Sequence, residues 1–195
     1  MLPLPPATQA LLLANVAVFF LGELLGPGLL STFALWPVGS GFWPWQIGTY
    51  AFLHGNFNHL FFNMLGLWMF GGELEQVWGQ RRFLQFYAAS VVAAALVQLL
   101  VSALLGAQGP TIGASGGLFG LLLAFAMIFP NRIILLFFVI PMKAKYLVVL
   151  YGLIELYQGA YVLNSGVAHF AHLGGMLGGL LTLRYWRGQA PFGRR

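Results

Sequence analysis

Apolar residues run along this chain in six blocks, each closed by glycine, proline or charged residues. The blocks are Gln9–Leu25, about Asn56–Val77, about Phe83–Leu105, Ala114–Phe129, Tyr146 to about Tyr161, and about Val167–Trp186. About 20 apolar residues carry a helix across roughly 30 Å of hydrocarbon. The pattern therefore predicts an all-α membrane protein, a bundle of six transmembrane helices in one domain over residues 1–195 with no separate soluble domain. Between the first two blocks, residues 26–52 are broken by Pro27, Pro37, Pro44 and several glycines, and they carry Trp36, Trp43 and Trp45. Such rings suit the headgroup zone, so this stretch reads as a long interfacial loop rather than a span. Ile133–Ile140 is too short to cross as a helix and is interrupted by Pro141–Lys145, so it is expected to lie along a membrane face. Short turns are expected at Gly106–Pro110 and Val162–Gly166. Met1–Thr8 holds three prolines and no Lys or Arg, unlike the basic start of a secretory signal, so the first span is expected to be retained.

Charge turns this span count into a topology. Only 7% of the 195 residues are charged, 59% are hydrophobic and the mean hydropathy is +0.83, whereas a soluble domain carries about a quarter charged residues. Six spans put both termini on one side. Arg81, Arg82, Arg132, Lys143, Lys145, Arg184, Arg187, Arg194 and Arg195 then all fall on that side, in the second and fourth connections or after the sixth span. By the positive-inside rule it is cytoplasmic. The pI of about 9.9 is thereby explained without nucleic acid, since the basic residues are not interleaved with aromatics in one patch. There is no cysteine, which removes thiolate catalysis and thiolate zinc sites. The four acidic residues are Glu23, Glu73, Glu75 and Glu155; without aspartate, no Ser-His-Asp triad exists.

The polar residues within the spans carry the candidate chemistry. Gly113-Ala114-Ser115-Gly116 heads the fourth block, so Ser115 lies about one turn inside the outer face, beside the unpaired N–H groups of a helix start. In the second block His59 and Asn63 are four residues apart, on one helix face in its outer half. In the sixth, His172 lies one to two turns below the outer end. Gly175 and Gly179 repeat the spacing of Gly116 and Gly120, which lets the fourth and sixth helices approach closely and bring serine to histidine. Two bland readings compete: small residues serving only packing, and polar residues hydrogen-bonding neighbouring helices. A metal site from His54, His59, His169 and His172 is disfavoured, because no His-Glu-x-x-His is present and neither aspartate nor glutamate is expected at this depth. Glu155, inside the fifth span, is assigned to a weaker reading, the proton-relay group of a transporter.

Together these residues resemble the rhomboid family of intramembrane serine proteases. The likeness rests on Gly113-Ala114-Ser115-Gly116, on His59 with Asn63, on Ala171-His172-Leu173-Gly174-Gly175, and on Gly71-Gly72-Glu73-Leu74-Glu75 at the end of the second span. It implies a Ser-His dyad with Ser115 as nucleophile and His172 as general base. It also implies an oxyanion hole from His59, the Asn63 amide and the Ser115 backbone N–H, with Gly113 and Phe119 in support. Phe119 stands where relatives often have tyrosine packed on the catalytic imidazole, and Gln46 where they often have arginine after the tryptophan. His169 is expected to be structural or at the rim, and His54 to hold a loop through hydrogen bonds.

The resemblance further implies no cofactor, membrane-protein substrates with one or several spans, and a site open to the outer face of a plasma membrane, that of a bacterium, with both termini cytoplasmic. Peptide hydrolysis needs water, so a water-accessible cavity is expected at Ser115. The alternatives are a rhomboid-like protein that binds membrane clients without cutting them and, more remotely, a transporter.

Overall fold

The computed structural model describes residues 4–106, 109–136, 139–161 and 168–189. The chain begins with α1 (Pro6–Leu25), α2 (Pro27–Phe33) and α3 (Gln46–Thr49), followed by a short 3₁₀ turn. Next come α4 (Phe57–Gly66), a π-helical turn (Leu67–Gly71) and α5 (Gly72–Trp78), then α6 (Gln80–Leu105) and α7 (Ser115–Ile128). A β-hairpin of β1 (Ile133–Leu136) and β2 (Ile140–Lys143) leads into α8 (Ala144–Tyr161), and α9 (His169–Trp186) closes the described chain. The expected turn at Val162–Gly166, the start of the sixth span at Val167, part of the Gly106–Pro110 turn and the last basic residues lie outside the described residues.

Each apolar block becomes helix, but the all-α expectation needs one correction. Ile133–Lys143 folds back as an antiparallel hairpin, with Ile133 opposite Lys143 and Leu136 opposite Ile140. A run of four residues, two of them β-branched, is too short to nucleate a stable helix, and pairing satisfies its backbone. Among the described residues, two helices, α1 and α6, are long and apolar enough to cross a membrane by themselves. Their outer surfaces are greasy: Leu13, Leu24, Leu96, Leu100 and Leu104 are each more than half exposed. An aqueous surface would not hold such a concentration of large apolar side chains.

Helix α9 is the axis of the bundle because it carries two glycine stripes. Side chains at Gly174 and Gly178 would run into Ala93, Ala94 and neighbouring backbone of α6; side chains at Gly175 and Gly179 would run into Gly116 and Gly120 of α7. Backbones thus meet on two sides, which in a membrane replaces the missing hydrophobic drive with close van der Waals contact. Phe83, Phe86 and Tyr87 of α6 and Leu121 and Phe125 of α7 are all buried and fill the core.

Polar side chains fasten the outer pieces. Glu75 accepts hydrogen bonds from the Ala7 N–H (2.9 Å), the Thr8 N–H (2.7 Å) and the Thr8 hydroxyl (2.8 Å), capping the otherwise uncapped start of α1. Gln46 is fully buried and braces the loop before α4. Its Oε1 accepts from the N–H of Trp36 (3.2 Å) and Trp43 (3.1 Å), and its amide donates to the carbonyls of Thr32 (3.1 Å) and Gly41 (3.3 Å). A neutral amide, both donor and acceptor, therefore ties this loop together without an arginine. Among the described basic residues, Arg132 pairs with Glu73 at 3.3 Å, and Arg82 lies over the Trp186 ring, which also meets Trp78.

Candidate active site

The site begins with a backbone constraint. Gly113 adopts φ +118°, a conformation that residues with a Cβ rarely tolerate, and its N–H donates to the Tyr50 carbonyl at 2.9 Å. This turn delivers Ser115 as the first residue of α7. From α9, one helical turn in, His172 places Nε2 2.8 Å from the Ser115 Oγ. The imidazole is held flat by Phe119, whose ring stacks on it with centroids 4.2 Å apart and planes 6° from parallel. Phe119 follows Ser115 by four residues, hence on the same face of α7.

His59 and Asn63 reach the same place from α4. A Cβ on Gly113 would lie 2.7 Å from His59 Nε2 and 3.7 Å from Asn63 Nδ2, so both nitrogens converge on the edge of the turn that carries Ser115. Asn56 caps α4 by accepting from the His59 N–H at 2.9 Å, and the Gly55 N–H approaches His59 Nδ1 at 3.5 Å, which leaves Nε2 as the donor of a neutral ring. Asn63 Nδ2 is buried without a hydrogen-bond partner among the described residues. A buried donor without a partner costs free energy, and such a donor beside a nucleophile suits a charge that is present only during a reaction.

A groove of about 970 Å³ opens at this point. Asn63, Ser115, Phe119 and Tyr151 line one end, and Glu73 and Arg132 the other, with α4, α5, α7, β1 and α8 between. Its walls are mainly apolar, including Trp68, Met69, Leu118 and Leu122.

The expectation that no glutamate shares this depth fails here. Glu155 lies at the depth of His172, not away from it: its Oε2 is 2.6 Å from His169 Nδ1 and 2.9 Å from His172 Nδ1, and all three residues are buried. The His172 contact is within ion-pair reach but off the in-line direction of a full hydrogen bond. His169 is accordingly inside the cluster, which is the structural one of its two expected placements and not the rim. Spacing along the fifth span could not reveal this, because depth depends on where α8 starts relative to α9. Among the described residues, the same three are spaced so that they could hold a cation, with ligand atoms within 4.8 Å of one another. Their 2.6 and 2.9 Å separations are those of hydrogen-bonding partners, whereas tetrahedral ligands about 2.0 Å from zinc stand about 3.3 Å apart.

His54 meets its expectation only in part, through a contact with the Phe52 backbone of the same loop. It is 7% exposed, and neither ring nitrogen makes a well-directed hydrogen bond; the ring instead stands edge-on to His59 with centroids 4.9 Å apart. Burial, with the neighbouring His59 adding to it, pushes His54 down to about 4.

The chain's likeness to known proteins agrees with these motifs. A family model described as the Rhomboid domain matches residues 42–188. The chain belongs to the rhomboid family. Over 134 residues it is 39% identical to "Rhomboid protein 1, mitochondrial" of Saccharomyces cerevisiae, which covers 67% of this chain and 38% of that protein. Over 181 residues it is 29% identical to "Rhomboid protease GlpG" of Klebsiella pneumoniae, covering 90% of this chain and 61% of the relative. Over 187 residues it is 30% identical to "Rhomboid protease GluP" of Bacillus subtilis, covering 91% and 34%. The chain thus spans less than two thirds of the length of these relatives. Membership makes this rhomboid chain an integral membrane protein, in line with its exposed apolar helices.

Proposed function

We propose that this rhomboid chain is an intramembrane serine endopeptidase that hydrolyses peptide bonds in or near transmembrane segments of membrane proteins. The observation that carries the reading is the 2.8 Å contact between Ser115 Oγ and His172 Nε2 beside an unpartnered buried amide. In this mechanism His172 takes the Ser115 proton as Oγ attacks the scissile carbonyl carbon, then returns it to the leaving amine nitrogen. Water repeats the sequence on the acyl-enzyme, releasing the acid and restoring the serine. Negative charge on the carbonyl oxygen is met by His59 Nε2–H, Asn63 Nδ2–H and the Ser115 backbone N–H, donors fixed before the reaction starts. Gly113 keeps the space open, and Phe119 keeps the imidazole in plane. No step calls for a cofactor.

In the proposed topology α1, the α4–α5 run, α6, α7, α8 and α9 are the six spans of one domain, with the termini and the Arg82, Arg132 and Arg184 end cytoplasmic and the site facing outward, as in a bacterial inner membrane. At 1.5 Å per residue the 14 residues of α7 reach about 21 Å, short of a 30 Å core. Ser115 would then sit below the membrane surface, where water must reach it through the site's own cavity. A substrate segment fits the apolar groove, and it must unwind locally, since a helical amide is shielded by its own hydrogen bonds.

The test uses purified protein in detergent with a fluorophosphonate probe on wild type, Ser115→Ala and His172→Ala. Labelling of wild type alone is expected. A folded wild type that takes no more label than Ser115→Ala would sink the protease reading in favour of a client-binding protein.

A further inference from the structure

Phe119 fixes the plane of the His172 ring, but stacking does not decide which ring nitrogen carries the hydrogen. A base needs that choice made. If Nε2 carried it, an N–H would face the Ser115 hydroxyl and no lone pair would be available to accept its proton. The group that can decide is on the other side of the ring. Glu155 is buried in an apolar helix, where an unpaired carboxylate is costly, and its Oε2 lies 2.9 Å from His172 Nδ1. The second histidine holds that oxygen in place, His169 Nδ1 being 2.6 Å away. An ionised carboxylate only accepts, so the ring nitrogens facing it present N–H.

We propose that Glu155, anchored by His169, is a positioning residue that holds His172 in its Nδ1–H tautomer and balances the imidazolium formed when Ser115 attacks. The proposal rests on the protease reading above and adds a third member to the dyad. The proton balance is unchanged: it moves from Ser115 Oγ to His172 Nε2 and on to the leaving nitrogen, while Glu155 stays ionised throughout. The off-line geometry at rest leaves room for this contact to improve once the ring is charged.

The experiment has two arms. In the first, the maximal fluorophosphonate labelling rate and the half-saturating probe concentration are measured for wild type, Ser115→Ala, Glu155→Gln and Glu155→Asp in one detergent. The amide should lower the maximal rate about 100-fold at unchanged half-saturation, less than the ~10⁴-fold seen when the orienting aspartate of a soluble serine protease becomes asparagine. Aspartate should recover at least part of the loss. In the second arm, nitrogen NMR on ¹⁵N-histidine-labelled wild type near pH 8, with His172 assigned by its loss in His172→Gln, should show a protonated Nδ1 and a bare Nε2. A bare Nδ1 in wild type, a Glu155→Gln rate equal to wild type, or an aspartate variant as slow as the glutamine variant overturns the proposal. If Glu155→Gln does not fold, the wild-type tautomer decides by itself. A wild type that labels no faster than Ser115→Ala refutes the protease reading instead, and the tautomer still reports on the Glu155 contact.

Discussion

Replacing Asn63 by leucine should separate catalysis from stability, because the amide nitrogen it removes has no hydrogen-bond partner among the described residues. Asn63 is 5% exposed, and its Nδ2 has no partner among the described residues. An unsatisfied buried polar group costs about 1–3 kcal/mol, and leucine has nearly the same shape without it. Discounting for imperfect packing of the new methyl groups, the variant should be as stable as wild type or more stable by about 1 kcal/mol. During turnover the same nitrogen is placed to meet the oxyanion beside Ser115, where loss of one donor costs about 2.7–4 kcal/mol, or a factor of about 10²–10³ in rate. The two effects have opposite signs, which general damage to the fold cannot mimic. The check is the maximal fluorophosphonate labelling rate with a thermal melt of the same sample. A rate within threefold of wild type, or a slow variant whose melting point has also collapsed, would refute the assignment of Asn63 as an oxyanion donor.

Three other outcomes follow from the geometry. Gln46→Leu strips the partners from the Trp36 and Trp43 N–H groups, and at about 1–2 kcal/mol for each half-buried orphan should destabilise the loop by about 2–4 kcal/mol, read as faster proteolysis within residues 34–49. Gly175→Val drives a side chain into the Gly116 backbone and should cost about 3 kcal/mol or more and abolish labelling, whereas Gly22→Ala, with nothing within 4 Å, should raise the melting point slightly. His54 stays neutral in the fold down to about 4 but ionises near 6.5 when unfolded, so the unfolded chain binds the extra proton in between. Its contribution to stability is therefore level above about pH 7 and falls as pH drops from 6.5 toward 4; His54→Phe should flatten that slope in melts taken against pH.

The amino-acid sequence by itself determined the helical blocks and the family. Apolar runs bounded by Gly79, Pro130 and similar breaks are local signals, and they place α6 and α7 to within a few residues. The motifs around His59, Ser115 and His172 need only short stretches of chain to be read. Packing decided the rest. Ile133–Lys143 becomes a hairpin through pairing between residues up to ten apart, which a four-residue run cannot announce. Gln46, read from sequence as a departure from the family pattern, takes its bracing role from carbonyls and N–H groups that the fold gathers around it. Glu155 is the sharpest case. Its position along α8 is plain in the sequence, yet which helix its carboxylate meets depends on the rotation and depth of α8 against α9. Helical periodicity relates residues to their own axis and holds no information about the neighbouring one, so only the tertiary structure brings Glu155 to His169 and His172.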